Sequence, residues 1–416
     1  MNIQSSIDID TDANNLGVMI QRTLSARLVK LTSSYPVVFL TGPRQSGKTT
    51  LTRSAFPDFF YVSLEDLQNR EEATEDPRGF LHRLEAGPGA ILDEVQRTPD
   101  LFSYIQGFVD AGKGGPLILT GSQQFLLSER IGQTLAGRAA ILELLPFSIA
   151  ELCNRPGLSP DAFVTGDPPV SERPAMSLDE LLFSGFFPRI HDRSLEPSPW
   201  LDGYIRTYVE RDLRTLAMVG DLETFARFIG LCAGRAGQLL NTSSLGADAG
   251  VTHATARRWI SILQASYVID LLRPHFANYS RRLIKTPKLY FVDTGLLCRL
   301  LGIRTPEDLP RHPLRGMIFE NLIVNDLRKL FLHQGERPPL YFWRDSNGRE
   351  VDVIIDLGVR RIPIEIKAGR SVAADFLKSL DLYTALSGGP GGVLVYGGDE
   401  TYRRRVHLIR PWWACT

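Results

Sequence analysis

The run Gly42-Pro43-Arg44-Gln45-Ser46-Gly47-Lys48-Thr49 spells G-x-x-x-x-G-K-T without a mismatch. Nothing else in the sequence restricts the fold as tightly, because this motif grips phosphate only when it lies between a strand and a helix. Val37-Val38-Phe39-Leu40, just upstream, is an apolar run of strand type, and Thr49 to Ser54 reads as the start of a helix. In that setting the backbone N–H groups from Gly42 to Thr50 and the helix N-terminus surround the β-phosphate. Lys48 reaches the β and γ oxygens, and the Thr49 hydroxyl ligates Mg²⁺. The expected ligand is a nucleoside triphosphate, ATP, with Mg²⁺.

The chain has 416 residues, too many for one core, and at about 100 to 200 residues per domain it should hold two to four. No apolar stretch approaches the roughly 20 residues of a membrane span, and Met1 to Asp12 lacks a basic segment followed by an apolar one. A cytoplasmic protein is therefore expected, without a membrane partner. Cys153, Cys232, Cys298 and Cys415 are widely spaced, which suggests neither a disulfide framework nor a zinc cluster. A formal net charge of zero argues against a protein coated for nonspecific nucleic-acid binding. Local basic patches remain: Arg257-Arg258 with Arg281, Arg282, Lys285 and Lys288, and Arg403-Arg404-Arg405.

Downstream of the loop, Ala90-Ile91-Leu92-Asp93-Glu94 is an apolar strand ending in two acids. Asp93 is placed to hold Mg²⁺ through water, and Glu94 to orient and deprotonate the attacking water. A third strand, Pro116 to Thr120, ends in Gly121-Ser122-Gln123-Gln124. Ser122 and Gln123 suit either a sensor of the γ-phosphate or a helix cap. The spaced strands with helical stretches between them read as an α/β parallel sheet covered by helices, and the order of motifs over residues 16–150 resembles the AAA+ ATPases. That resemblance implies hydrolysis between subunits of a homo-oligomer, with an arginine from a neighbour stabilising charge on the γ-phosphate. Arg130 and Arg138 follow the sensor strand, and Arg138, preceded by Gly137, is the preferred finger. A surface ion pair is the plainer role for either.

Residues 154–177 are rich in Pro, Gly, Ser and Asp and read as a linker or long loop. Leu178 to Phe183 looks helical, and Gly185-Phe186-Phe187-Pro188 looks like a turn with exposed aromatics. From Trp200 to Leu216, Tyr204, Ile205, Tyr208, Val209 and Leu213 form an apolar stripe at helical spacing. The string Thr207-Tyr208-Val209-Glu210-Arg211-Asp212-Leu213, with Ser184 to Pro188 and the phosphate-site motifs, resembles a prokaryotic group of AAA+ ATPases whose C-terminal half is a domain of unknown function, the 4143 family. The likeness spans nearly the whole chain.

Residues 221–285 read as a winged helix. Leu222 to Ala233 is amphipathic, and Thr242 to Ala249 is a second helix stopping at Gly250, the small residue a tight corner prefers. Thr252 opens a third helix through Gln264, with Ala256, Trp259, Ile260 and Leu263 inward and Thr255, Arg257, Arg258 and Ser261 outward. Tyr267 to Leu272 and Lys288 to Val292 fit the strands of a wing. If the module binds DNA, the third helix enters the major groove and the wing contacts phosphate; winged helices also bind proteins.

In the last hundred residues, the helix Gly316 to Phe331 carries Glu320 near its start. Two strands follow in hairpin order, Glu350 to Ile355 and Ile362 to Lys367. Alternation sends Ile362, Ile364 and Ile366 one way and Glu365 and Lys367 the other, with Asp352 on the neighbouring strand. This arrangement resembles the PD-(D/E)xK, or restriction-endonuclease-like, α/β fold. The resemblance implies Glu320, Asp352 and Glu365 as ligands of Mg²⁺ or Mn²⁺ and Lys367 as the residue that positions water or stabilises the phosphate. Two departures are plain. Glu350-Val351-Asp352 stands in place of a P-D, and the helix from Ala374 offers Ser379 and Tyr383 where some nucleases of this type have glutamine and tyrosine. The expected organisation is an AAA+ domain over 1–153, a connector over 154–217, a winged helix over 218–312 and a nuclease-like domain over 313–416. The function expected is ATP hydrolysis coupled to action on DNA, with metal-dependent cleavage; the alternative is an ATP-dependent regulatory or protein-binding switch with a silent nuclease fold.

Overall fold

A computed structural model describes residues 20–122, 134–165, 173–213, 222–275 and 285–415. The first part is a five-stranded sheet in the order β2-β3-β4-β1-β5, built from β1 (Val37–Thr41), β2 (Phe60–Ser63), β3 (Ala90–Asp93), β4 (Leu117–Gly121) and β5 (Ala139–Glu143). Every pairing in it is parallel. Side-chain alternation along β1 explains the two helical layers. Val37 and Phe39 pack with residues of α3 (Leu67–Glu75), α4 (Pro77–His82) and α5 (Leu101–Asp110). Val38 and Leu40 pack on the opposite face with Leu28 of α1 (Ser25–Thr32) and Leu51 of α2 (Lys48–Ala55).

Beyond β5 a large apolar core draws on residues from Phe147 to Cys415. It takes in part of the stretch expected to be linker: Pro160–Thr165 forms helix α6, and its Phe163 is fully buried, with its carbonyl accepting from Arg410. The expectation of exposed aromatics at Phe186 and Phe187 fails as well. They are 2% and 1% exposed. The reason is Asp293, whose carboxylate accepts the Phe186 N–H at 2.7 Å and turns the chain inward after α7 (Leu178–Ser184). Gly185 makes this possible with φ +68, and a Cβ there would stand 2.3 Å from Asp293 Oδ1. After α8 (Pro188–Asp192) and α9 (Pro197–Tyr204), residues 205–212 wind as a π-helix, a form that is rare and concentrated at functional sites.

The three predicted helices follow as α10 (Leu222–Ala233), α11 (Thr242–Ala249) and α12 (His253–Ala265). Asn241 caps α11 by accepting from the Ser244 N–H, Gly250 ends it with φ +76, and Thr252 caps α12. Trp259 is held edge-on between Phe225 and Phe228, at centroid distances of 5.1 and 5.0 Å. Arg257 and Arg258 lie on the exposed side.

The hairpin β6 (Ile269–Pro274) and β7 (Lys288–Phe291) does not stand apart as a wing. β6 also pairs in parallel with β8 (Leu340–Arg344), making the hairpin one edge of an eight-stranded mixed sheet. The sheet continues through β9 (Glu350–Asp356), β10 (Arg361–Lys367), β11 (Val393–Tyr396), β13 (His407–Pro411) and β12 (Tyr402–Arg404). The helix α13 (Arg315–Leu332) packs on one face and α14 (Lys378–Ser387) on the other. No helix among the described residues is long and apolar enough to cross a membrane.

Candidate active site

The phosphate loop leaves β1 where its neighbours β4 and β5 part from the order of the chain, the crevice at which open α/β sheets bind ligands. Positive φ at Gly42 (+149), Gln45 (+63) and Gly47 (+89) curls the backbone. A Cβ on Gly42 would lie 2.1 Å from the Leu144 carbonyl oxygen, so only glycine passes β5 there. The Ser46 Oγ is buried with no hydrogen-bond partner among the described residues, as expected of a cradle shaped for an anion. Lys48 is buried at the N-terminus of α2, its Nζ donating to the Gly42 and Pro43 carbonyls at 3.0 and 2.8 Å. Burial lowers its ammonium to about 8, against the raising pull of Glu94 and Asp93 and with a further push down from Arg44.

The ends of three neighbouring strands converge on this loop. Asp93 accepts from the Thr49 hydroxyl at 2.8 Å and the Tyr61 hydroxyl at 2.9 Å, and also from Thr120. Thr49 and Asp93 thus meet at one point, which suits Mg²⁺. Glu94 sits in the left-handed region, φ +58, and its carboxylate accepts from Gln96 and, at 3.5 Å, from the Ser122 hydroxyl. Tyr61, Thr120 and Gln96 escape the sequence reading; the parallel register, which sets Ser63 beside Asp93 and Leu40 beside Thr120, is the signal that finds two of them. Gln123 and Arg130 lie outside the described residues. Arg138 makes a bidentate pair with Asp110 at 2.5 and 3.0 Å on the surface and does not line the cleft of its own chain.

The cleft has a volume of about 1000 Å³. The loop residues Arg44, Gln45, Gly47, Lys48, Thr49 and Thr50, with Asp93 and Glu94, form one wall. Arg189, Asp192 and Arg193 from α8 and its C-terminal flank, Trp200 and Tyr204 from α9, and Thr207 and Tyr208 from the π-helix form the other. Arg44 spans the gap, its guanidinium 5.6 Å from the Tyr208 ring centroid. Behind the loop, Arg22 donates to the Ser46 carbonyl at 2.7 Å, to the Leu145 carbonyl at 2.6 Å and to the Glu151 carboxylate at 3.1 Å. Burial alone would raise Glu151, but Arg22, His333 and two backbone N–H groups bring it down to about 2. His333, at the end of α13, is 3.7 Å from the same carboxylate and is pushed down to about 4 by burial.

Helix α13 runs from this point to the second carboxylate site. On it, Lys329 donates to the Phe147 carbonyl at 2.6 Å, Arg328 reaches Glu143 of β5 at 3.4 Å, and Asn321 binds the Phe291 backbone through both its oxygen and its nitrogen. Nine residues before Lys329, or about 14 Å along the helix, Glu320 accepts from the Tyr290 hydroxyl at 2.6 Å. Asp352 accepts the Ile366 N–H at 2.8 Å, and Lys367 lies 2.5 Å from Glu365 and 3.8 Å from Asp352. Burial, with the neighbouring Asp352, raises Glu365 to about 8.

The expected residues therefore meet, but with one more that the sequence reading placed in a basic surface patch. Lys288 is 3% exposed, its Nζ is 3.1 Å from Glu320, and it also pairs with Glu350. It is buried because β7, the last strand of the sheet, packs under α13, whose Asn321 binds the Phe291 backbone. Among the described residues no three Asp, Glu, His or Cys side chains are grouped to hold a metal ion. Two unit charges 4 Å apart interact by about 4 kcal/mol at an effective dielectric constant of 20, and a divalent ion beside Lys288 would meet about twice that repulsion. The donor set as arranged does not fit Mg²⁺ or Mn²⁺.

Residues 34–153 match the AAA domain family, residues 176–307 a domain of unknown function (DUF8612), and residues 315–414 a second such domain (DUF4143). An uncharacterized protein of Mycobacterium tuberculosis and one of Mycobacterium bovis are each 35% identical over 356 residues, covering 83% of this chain and 74% of theirs. Among solved structures, a Walker-type ATPase of Pyrococcus abyssi is similar at 15% identity and a TM-score of 0.39, covering 68% of this chain and 96% of that one. AMPPCP-bound DnaA from Aquifex aeolicus is similar at 14% identity and a TM-score of 0.30, over 62% of this chain and 93% of that one. With its phosphate loop, paired acids and five-stranded parallel sheet, this chain carries a P-loop AAA ATPase domain ahead of a C-terminal DUF4143 region, and it belongs to the family of these two mycobacterial proteins.

Proposed function

We propose that this protein is an ATP-hydrolysing AAA+ switch that acts on DNA, reading it with helices α10 to α12 of the winged helix expected over residues 218–312 and carrying a nuclease-like C-terminal platform. Lys48 binds the β and γ phosphates. Thr49 and Asp93 would hold Mg²⁺, which neutralises phosphate charge. Glu94, oriented by Gln96 and Ser122, takes the proton of the attacking water. Arg189 and Arg193 face the loop from the opposite wall, and Arg138 is the finger offered to a neighbouring subunit once it leaves Asp110. The observation that carries the switch is the Arg22 guanidinium, which joins the loop carbonyl of Ser46 to Glu151; two residues before Glu151, the Ile149 N–H donates to Asp326 of α13 at 3.1 Å. A loop that tightens on phosphate pulls on the helix that ends in the carboxylate site.

Two readings of that C-terminal site differ in chemistry: cleavage with Mg²⁺ or Mn²⁺ through Glu320, Asp352, Glu365 and Lys367, or a silent fold kept for binding. Lys288 favours the second. The exposed Arg257 and Arg258 of α12 support DNA as the partner, and fluorescence anisotropy with a duplex at several salt concentrations tests this. Arg257→Ala and Arg258→Ala should each weaken binding and lower the log–log salt slope by about 0.9 for every phosphate the arginine had neutralised. Absence of salt-dependent binding with ADP and with a non-hydrolysable ATP analogue would remove DNA and leave a switch that acts on a protein partner.

A further inference from the structure

We propose that Lys288 is the resident cation of the C-terminal carboxylate site, an internal ammonium that stands where a nuclease of this shape would hold a divalent metal. Three observations carry this. Lys288 is buried, and its Nζ contacts both Glu320 and Glu350, the first of them the helix carboxylate assigned by resemblance to metal binding. The second ammonium, Lys367, covers Glu365 and lies against Asp352 from the other side. Protein donors crowd the same oxygens, the Tyr290 hydroxyl on Glu320 Oε1 beside Lys288 and the Ile366 N–H on Asp352 Oδ2 beside Lys367, while Arg344 holds the second oxygen of Glu350. Among the described residues, Glu320, Asp352 and Glu365 each keep one oxygen without a protein donor, but no three such side chains are grouped to hold a metal ion, as a hard divalent cation with several oxygen ligands requires.

Lys288 arrives from outside the nuclease-like unit. It sits on β7, opposite Leu272 of β6, and bridges to Leu239 just before α11. The helix-turn-helix segment and the carboxylate cluster are thereby fastened by one residue, its backbone paired with Leu239 and its side chain with Glu320 and Glu350, so in the parent a divalent ion enters only if the hairpin withdraws. The site in this arrangement is an ion-pair lock between two parts of the chain and takes no metal.

Mn²⁺ titration of the nucleotide-free full-length protein, followed by the electron paramagnetic resonance signal of free Mn²⁺, tests this. The parent, Asp352→Asn and Glu365→Gln should bind the same number of ions, with none dependent on Asp352. Lys288→Met, which keeps the aliphatic stem and removes the charge, should gain one site per chain, at least tenfold tighter than any in the parent, and Lys288→Met/Asp352→Asn should lose it. A Lys288→Met protein that melts cooperatively and binds ATP yet gains no site would overturn the proposal. So would a Mn²⁺ site in the parent that disappears with Asp352→Asn, a comparison that holds even where Lys288→Met does not fold.

Discussion

Lys48 should make nucleotide binding a proton-uptake reaction in mildly alkaline solution. In the free protein its ammonium is out of water, held only by two carbonyls, and lowered by burial to about 8. The phosphates of ATP favour the charged form, so the bound value lies higher. The sign follows from linkage: the full affinity is present below about 8 and is lost as pH rises from there toward the bound-state value. At pH 8 half of the free molecules carry a neutral Lys48, so binding takes up about 0.5 proton; at pH 9 uptake is about 0.9, and at pH 6.5 almost none. The association constant should be about tenfold lower at pH 9 than at pH 7, a difference of about 1.4 kcal/mol. Calorimetry in paired buffers of different ionisation enthalpy, with Mg²⁺ saturating, measures both quantities. Equal affinity at pH 7 and pH 9 with no proton uptake at pH 8.5 would show that Lys48 is already fully charged, and the burial argument would be wrong.

Other expectations are simpler. Glu94→Gln should keep ATP binding and slow turnover by at least about 100-fold, the lower end for loss of a general base; hydrolysis at the parental rate would move that role to another group. Gly185→Ala places a Cβ 2.3 Å from Asp293 Oδ1 at a φ of +68 and should cost about 2–3 kcal/mol in urea unfolding. An unchanged midpoint would mean that Asp293 can retreat from Phe186 freely.

Sequence signals suffice where local physics decides. β1, β3 and β4 are short apolar runs ending in the residues their chemistry needs, and α11 and α12 carry their own caps in Asn241, Gly250 and Thr252. Two failures share a cause, partners remote in sequence. Phe186 and Phe187 look exposed until Asp293, over a hundred residues on, turns them inward. Lys288 reads as one more surface lysine until Glu320 and Glu350 close on it. The π-helix over residues 205–212 gives the same apolar periodicity as an α-helix, so only the backbone distinguishes it. Of the nucleotide site, the loop and the Asp93-Glu94 pair are legible, while the far wall from Arg189 to Tyr208 is not, because no motif marks it.

The shared core has a consequence for how the chain is made. The five-stranded sheet is complete when β5 has left the ribosome, and its two apolar faces are covered by helices already synthesised. The aromatic segment that follows, from Phe147 through Phe187, Tyr204 and Trp259, packs in one cluster with Phe319, Leu322 and Leu327 of α13. Translation at 5–20 residues per second leaves that surface uncovered for roughly 10–40 s. A nascent chain halted before α13 is therefore a folded ATPase sheet trailing a sticky tail, which makes this interval the one in which chaperones are needed.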